Sequence, residues 1–506
     1  MLTISGLGCE ESKPRRPAAP TTASDAEASA PRPTEARTVE LSGWVQVRTD
    51  DTVTMVIAES EMGQGVLTGM AMVLAEEMGA DWQRVRAEHA PSNSKIYGNQ
   101  MTGGSTSLRQ GYEPMRKVGA TARAMLIAAA AERWKVPAAE CRVAAGVVHH
   151  DAKKLSARFG ELAESAAKLP VPEDPPLQDP ASFRIIGKAQ RRLDSSVKIR
   201  GTAKFGIDVA RPGQLVALVA RPPVFGGKVV KVDPAAAEKV AGVRHVVELP
   251  MGVAVVADGF WAAKTGRDAL KIEWDDGGHG DLSSAEIRRR CQRAVSTGQV
   301  ARNDGQAVEA LQGASVVKAV YEAPFLAHVP MELLNATAQV RSDGCEMWVP
   351  TQSPTRTHRT VAEITGLPED KIRLELPFIG CGFGRRWQTD FAAEAVHASK
   401  AVGKPVQVIW TREDDVRGGY YRPYAYNELA ARIEGGLPVA WDHRIAGPSI
   451  LDTIGRKLEP GQVENQAVGG AVHLPYAIPN VRVTYAKVPL PIPVGYWRSV
   501  AHSQNG

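Results

Sequence analysis

Residues 61–65 read EMGQG and residues 102–111 read TGGSTSLRQG, and each is followed by apolar residues at helical spacing. Glycine lets a backbone turn where other residues clash, and the unpaired N–H groups that open a helix attract negative charge. Neither loop holds the lysine of a phosphate loop, and neither has the spacing of a dinucleotide fingerprint. EMGQG reads either as a tight strand-to-helix turn with Gln64 solvated or as a set of free donors ahead of Val66. TGGST reads either as a plain N-cap or, with the hydroxyls of Ser105, Thr106 and Ser107, as an anion cradle backed by Gly103 and Gly104.

Outward from these loops the chain divides. Residues 1–38 carry a Pro-, Ala-, Ser- and Glu-rich run with almost no large apolar side chain, expected as a disordered tether or signal remnant. Cys9 there follows a small residue, but Gly6 stands where a lipoprotein site wants an aliphatic one. Strand, turn, strand and helix patterns from Val39 form a first segment, 39–175, closed by the proline-dense VPEDPPLQDP at 171–180. From 183 to 280 short strands alternate with helices, which predicts a compact α/β unit. A last segment, 305–506, ends on a strand pattern without a closing helix and is expected to be incomplete. The fold class is α+β, a mixed α/β multidomain chain.

Composition narrows the function. Lys plus Arg number 61 against 56 for Asp plus Glu, a net +5 with no basic stripe, so nucleic acid is not expected as a partner. The five cysteines are scattered with no CxxC pair, which argues against an iron–sulfur cluster or structural zinc on this chain. No run of about 18 apolar residues occurs to span a bilayer.

A third glycine turn, GCGFGRRWQTDF at 380–391, opens another helix. Arg385 occupies the place where a dinucleotide fingerprint would need its third glycine. Arg385 and Arg386 read equally as surface charges or as ligands of an anion. In GYWRS, Trp497 and Arg498 read as an anchor with a solvated neighbour. Several donor-rich turns separated by hundreds of residues point to one large anionic ligand held between domains.

These pieces, with AHVPMELLNATA, PTQSPT and WTREDD among others, resemble the molybdopterin-binding large subunit of the xanthine dehydrogenase and aldehyde oxidoreductase superfamily, and more narrowly isoquinoline 1-oxidoreductase beta subunits. The resemblance runs from about Val39 to the end. It implies the molybdenum-hydroxylase large-subunit fold, with 183–280 as its α/β hammerhead domain. It implies a molybdenum-bearing molybdopterin, often extended by cytidine to the cytosine dinucleotide form. Gln64 and Gly65 would contact that cofactor, and Gly103, Gly104, Ser105, Thr106 and Ser107 would wrap its phosphates. Gly382, Phe383, Gly384 and Arg385 would lie beside the metal, and Arg498 on the substrate or pterin side; no side chain of this chain is implied as a metal ligand. The implied activity is hydroxylation of an aldehyde or N-heteroaromatic carbon with water-derived oxygen, a glutamate serving as base. Electrons would pass to a small 2Fe-2S partner subunit, with a c-type cytochrome as a further acceptor, in the periplasm or at a membrane.

Two departures stand out. The family usually has three glycines before Phe383, where this chain has GCG. The family base lies in a GxGE segment that does not occur in these 506 residues, so it is expected beyond Gly506, and Glu332 in PMELL matches a structural position. The alternative readings are a truncated, non-catalytic fragment acting at most as an interaction or structural partner, and a nucleotide-binding protein.

Overall fold

The computed structural model describes residues 36–313, 315–459 and 461–506. Most of the residues 1–38, and Cys9 with them, lie outside that description. Strands β1 (Thr38–Ser42), β2 (Val45–Arg48), β3 (Val53–Ile57) and β4 (Val85–His89) form a sheet in that order, β3 and β4 running parallel. Between them α1 (Val66–Met78) crosses over. Its residues are apolar nearly all round, as a helix enclosed on every side requires, and Val66, Leu67, Met70, Leu74 and Met78 are all buried. It stops at Gly79, whose φ of 70° lets its N–H close on the carbonyls of Ala75 and Glu76.

Helix α2 (Ser107–Trp134) packs along α1. A Cβ at Gly111 would overlap Met70, and one at Gly119 would overlap the carbonyl of Leu74, so the two backbones meet closely where glycine leaves room. The helix begins inside the second glycine motif: only residues 102–106 are loop, and LRQG is already helical. A meander of β5 (Cys141–Ala144), β6 (Val147–His150) and β7 (Leu155–Arg158) and then α3 (Phe159–Ala166) complete this unit.

The proline-dense stretch at 171–180 is fastened down. Glu77, fully buried, accepts from Arg116 at 2.6 Å and from the Gln178 N–H at 2.9 Å. Glu76 accepts the backbone N–H groups of Arg184, Ile185 and Ile186. The pair of acidic residues in LAEEMG thus binds the following segment to α1.

The compact α/β unit expected at 183–280 shares its main sheet with the last segment. Its strands β8 (Leu215–Ala220), β10 (Val243–Leu249) and β11 (Gly252–Ala257) join β15 (Asn335–Val340), β16 (Cys345–Trp348), β17 (Ile372–Glu375) and β18 (Val406–Ile409) in one seven-stranded sheet, while β9 (Lys228–Asp233) and β12 (Lys271–Asp275) pair separately. The join is parallel, Leu215 opposite Val406 and Ala217 opposite Val408. The physical reason is burial: Ala217, Leu218 and Val219 are enclosed, and a strand covered on both faces is stable only inside a larger sheet. Helix α4 (Phe260–Ala269) packs on β8 and β11, and α6 (Pro354–Thr365) packs on α7 (Asp390–Val402), which lies on β15 and β18; α5 (Ser284–Ala294) covers the second large sheet. That sheet has five strands in the order β13 (Gln299–Asp304), β21 (Asn480–Lys487), β20 (Leu437–Gly447), β19 (Ala425–Glu434) and β14 (Val316–Ala323). Among the described residues no helix is long and apolar enough to cross a membrane.

Candidate functional site

The three glycine turns and the GYWRS segment meet in one hydrogen-bonded seam. Ser60 donates its N–H to Thr102 Oγ1 and its hydroxyl to the Thr351 carbonyl, both at 2.8 Å. Thr102 N–H donates to the Gln352 carbonyl at 2.8 Å, and Gln352 Nε2 donates back to the Thr102 carbonyl at 3.0 Å. The same carboxamide accepts from Gly384 N–H at 3.0 Å. Arg498 N–H donates to the Phe383 carbonyl at 2.8 Å, and its guanidinium stacks 4.0 Å from the Phe383 ring centroid. Gln352 is 3% exposed, so its carboxamide works as a buried clamp on the second and third loops.

The backbone in this seam is under strain. Ser105, Cys381, Phe383 and Arg498 hold φ values of 54°, 79°, 54° and 47°, conformations that L side chains adopt only when the surroundings impose them. A Cβ on Gly382 would overlap the Gln352 side chain, and one on Gly384 would overlap the Tyr496 carbonyl. Those two glycines are demanded by close approach of the second loop partner and of GYWRS. Cys381 occupies its left-handed position with its side chain half-buried.

The first two loops differ in what they leave open. In EMGQG most of the donors ahead of α1 are already taken. Glu61, 1% exposed, accepts from Gly63 N–H at 2.8 Å and Gly65 N–H at 3.0 Å on Oε1, and from Leu67 N–H at 3.2 Å on Oε2. Gln64 lies outside, its Nε2 donating to the Ser60 carbonyl at 3.0 Å and its Oε1 accepting from Met62 N–H at 2.8 Å. A primary amide has two N–H donors, so one points away from the loop. The reading of free donors before Val66 is therefore corrected in part: a carboxylate from the loop itself takes those of Gly63 and Gly65. In TGGST no side chain caps α2; the Thr106 hydroxyl donates instead to the Gly103 carbonyl at 2.9 Å. Gly104 and Ser105 are exposed, and the hydroxyls of Ser105 and Ser107 form no bond within the described residues.

Arg385 and Arg386 are neither surface charges nor free ligands. Both are fully buried. The Arg385 guanidinium pairs with both oxygens of Asp390, at 2.9 and 2.6 Å. That of Arg386 holds the Glu332 carboxylate at 3.1 Å and the carbonyls of Cys381, Glu332 and Leu333. A guanidinium enclosed in this way fixes the turn from behind, leaving backbone at the front. Glu332 also accepts from Gly380 N–H at 2.7 Å and from Ile207 N–H at 3.0 Å, the bonding of a structural hub.

Buried histidines frame the seam. His89 Nε2 accepts Glu61 N–H at 3.0 Å, so its other nitrogen donates to the Leu376 carbonyl at 2.9 Å; burial holds its pKa below the usual histidine value. His328 donates from Nε2 to the Tyr496 carbonyl at 2.7 Å, and burial lowers its pKa to about 4. Both are neutral scaffolding. Glu61, Gln352 and His328 carry this arrangement, and sequence reading assigned none of them a role. Gln352 lies in the quoted PTQSPT and Glu61 in EMGQG itself, yet a buried polar clamp has no composition signal.

A cleft of about 560 Å³ opens away from the seam, between Thr297, Gln299, Asp452, Lys457 and Lys487. Among the described residues no group of three or more His, Cys, Asp or Glu side chains could hold a metal ion. The donor set in the seam, backbone N–H groups and neutral hydroxyls and amides, suits an extended anionic organic ligand instead.

Comparison with known proteins gives the same chemistry. Two regions, residues 21–210 and 292–494, match models described as molybdopterin cofactor-binding domains, and every seam residue but the GYWRS segment at 495–499 falls inside them. The chain is 32% identical over 91% of its length to the isoquinoline 1-oxidoreductase subunit beta of Brevundimonas diminuta. It is 32% identical over 75% of its length to a membrane-bound aldehyde dehydrogenase [pyrroloquinoline-quinone] of Gluconacetobacter polyoxogenes. It spans 66% of the first relative's length and 51% of the second's. In fold it is similar to the aldehyde oxidoreductase of Desulfovibrio desulfuricans, with a TM-score of 0.51, 16% identity, and coverage of 64% of this chain and 41% of that one.

Proposed function

Because this chain belongs to the molybdopterin-binding large subunits of the xanthine dehydrogenase and aldehyde oxidoreductase superfamily, we propose that its seam holds a molybdenum-bearing pterin. The observation that carries the proposal is the Gln352 clamp, which binds the Thr102–Ser107 loop of one matched region to the Gly382–Gly384 turn of the other. The residues present fit such a ligand. The uncapped start of α2, with exposed Gly104 and Ser105, can receive a diphosphate on backbone donors and hydroxyls. The free amide N–H of Gln64 can donate to a polar atom of the cofactor head. The Gly382–Gly384 turn, held from behind by Arg385 and Arg386, presents backbone instead of bulk. When bound, the group supplies a two-electron redox centre.

The whole protein, of which relatives are longer, is proposed to oxidise an aldehyde or an N-heteroaromatic ring with water-derived oxygen. Electrons would pass to a 2Fe-2S partner subunit, and the pterin would be the cytosine dinucleotide form. Within this chain Arg498 would meet a substrate or the pterin edge, a role supported by its exposure and its stacking on Phe383. Glu332 is unsuited to serve as base, being fully engaged by donors. The location proposed is at a membrane or in the periplasm; the second relative is named as membrane-bound. The test is to co-express the complete reading frame with its small subunit and measure molybdenum and pterin. Assays against aldehydes and N-heterocycles with an artificial acceptor then give the substrate. A properly matured protein without molybdenum or pterin overturns the proposal.

A further inference from the structure

We propose that Glu61 is a positioning residue for the cofactor loop, and that Arg192 is the outer half of the same latch. The inference rests on the reading that the Gln64 loop meets the cofactor. The Glu61 carboxylate gathers Gly63, Gly65 and Leu67 from inside. Arg192 reaches over from outside, its Nη2 donating to Glu61 Oε1 at 2.9 Å and its Nη1 to the Gly63 carbonyl at 2.8 Å. Arg192 is itself gripped by both oxygens of Asp194, at 2.9 and 2.7 Å, and Lys198 reaches Asp194 as well, at 2.5 Å. Its neighbour Leu193 donates its N–H to Thr68 on α1 at 3.0 Å.

A helix cap alone would require only the carboxylate. Glu61 goes further, because its backbone fixes two other elements. Its N–H donates to His89 at the end of β4, and its carbonyl accepts Ile379 N–H at 3.1 Å, one residue before the Gly380–Gly384 turn begins. One residue therefore sets the first loop relative to the third, and Gln64, whose amide is folded on Ser60 and Met62, inherits its orientation from that node. The same closure places a carboxylate at the positive end of α1, which disfavours a second anion there and favours one at α2.

The proposal is tested in the co-expressed holoprotein by following molybdenum and pterin per chain after purification and during prolonged dilution. Glu61→Gln keeps size and shape but loses the charge that holds three N–H groups and Arg192. Its cofactor is expected to leave about 10- to 100-fold faster than from wild type, as when a group supporting a ligand from behind is lost. Arg192→Ala, at a side chain one-third exposed, keeps the fold and shows a smaller loss, and Arg192→Lys restores part of it. Glu464→Gln is the matched control: Glu464 is equally buried and accepts from Ser449 Oγ, Ile450 N–H and Leu451 N–H, none of them a seam residue. It should lower Tm and leave cofactor retention as in wild type. Equal retention in Glu61→Gln and wild type, or equal loss in Glu464→Gln, overturns the proposal alone. Wild-type protein without molybdenum or pterin overturns the functional reading and this inference with it.

Discussion

The two glycine loops look alike in sequence and are opposites in electrostatics. Each introduces a helix with small residues and surplus N–H donors. Ahead of α1 those donors converge on the buried carboxylate of Glu61, and Arg192 closes over it. Ahead of α2 no side chain closes the end, and the hydroxyls of Ser105 and Ser107 form no bond among the described residues. A helix start is therefore not an anion site by composition. One carboxylate four residues upstream of Gly65 decides whether the positive end is already neutralised or still available.

The largest effect that tests this contrast is on stability. Glu61→Ala would strand three N–H groups and take one of several partners from Arg192, and should cost about 2–4 kcal/mol of unfolding free energy in urea titration. Ser107→Ala at the open loop should cost less than about 0.5 kcal/mol; equal costs would break the comparison. The next effect is in pH. His89 must be neutral to accept Glu61 N–H, and burial depresses its pKa. A depressed pKa means the unfolded chain binds more protons below its ordinary value of 6.5, so stability is full above that value and falls as pH drops toward the folded pKa. His328 and His443, each near 4, contribute over the window from 6.5 to about 4. Replacing His89 by Gln, which cannot take the proton, should flatten part of the fall in Tm. A smaller effect comes from closing the open loop: Ser107→Asp adds a negative charge to the first turn of α2. It should stabilise the cofactor-free protein by about 0.3–1 kcal/mol while weakening cofactor retention, the two readouts moving in opposite senses.

Much of this was legible beforehand. Alternating Val45 and Val47 marked a strand, and the apolar run 66–78 ending at Gly79 marked α1 with its left-handed cap. The glycine turns and GYWRS that were singled out all fall in the seam. What could not be read was long-range. Ser60 finds Thr351 across 291 residues and Gln352 finds Thr102 across 250, and local pattern carries no trace of such pairs. Likewise a buried arginine has the same letter as a surface one, which left Arg385 and Arg386 undecided until Asp390 and Glu332 were seen beside them. The 183–280 region reads as complete because its elements alternate locally. Only the enclosed faces of β8 and its pairing with β18 reveal that its sheet continues into the last segment. The family relation, by contrast, was carried by short motifs in order, which survive where contacts are invisible.

The central claim is that loops from both matched regions wall one pterin site, with α2 taking the anion. The direct measurement is molybdenum and pterin content in mature wild-type protein beside Ser107→Asp, with Tm recorded for both. The expected result is a loaded wild type and a depleted variant whose apo form melts no lower. A wild type that is empty after maturation, or a fully loaded Ser107→Asp, would contradict it.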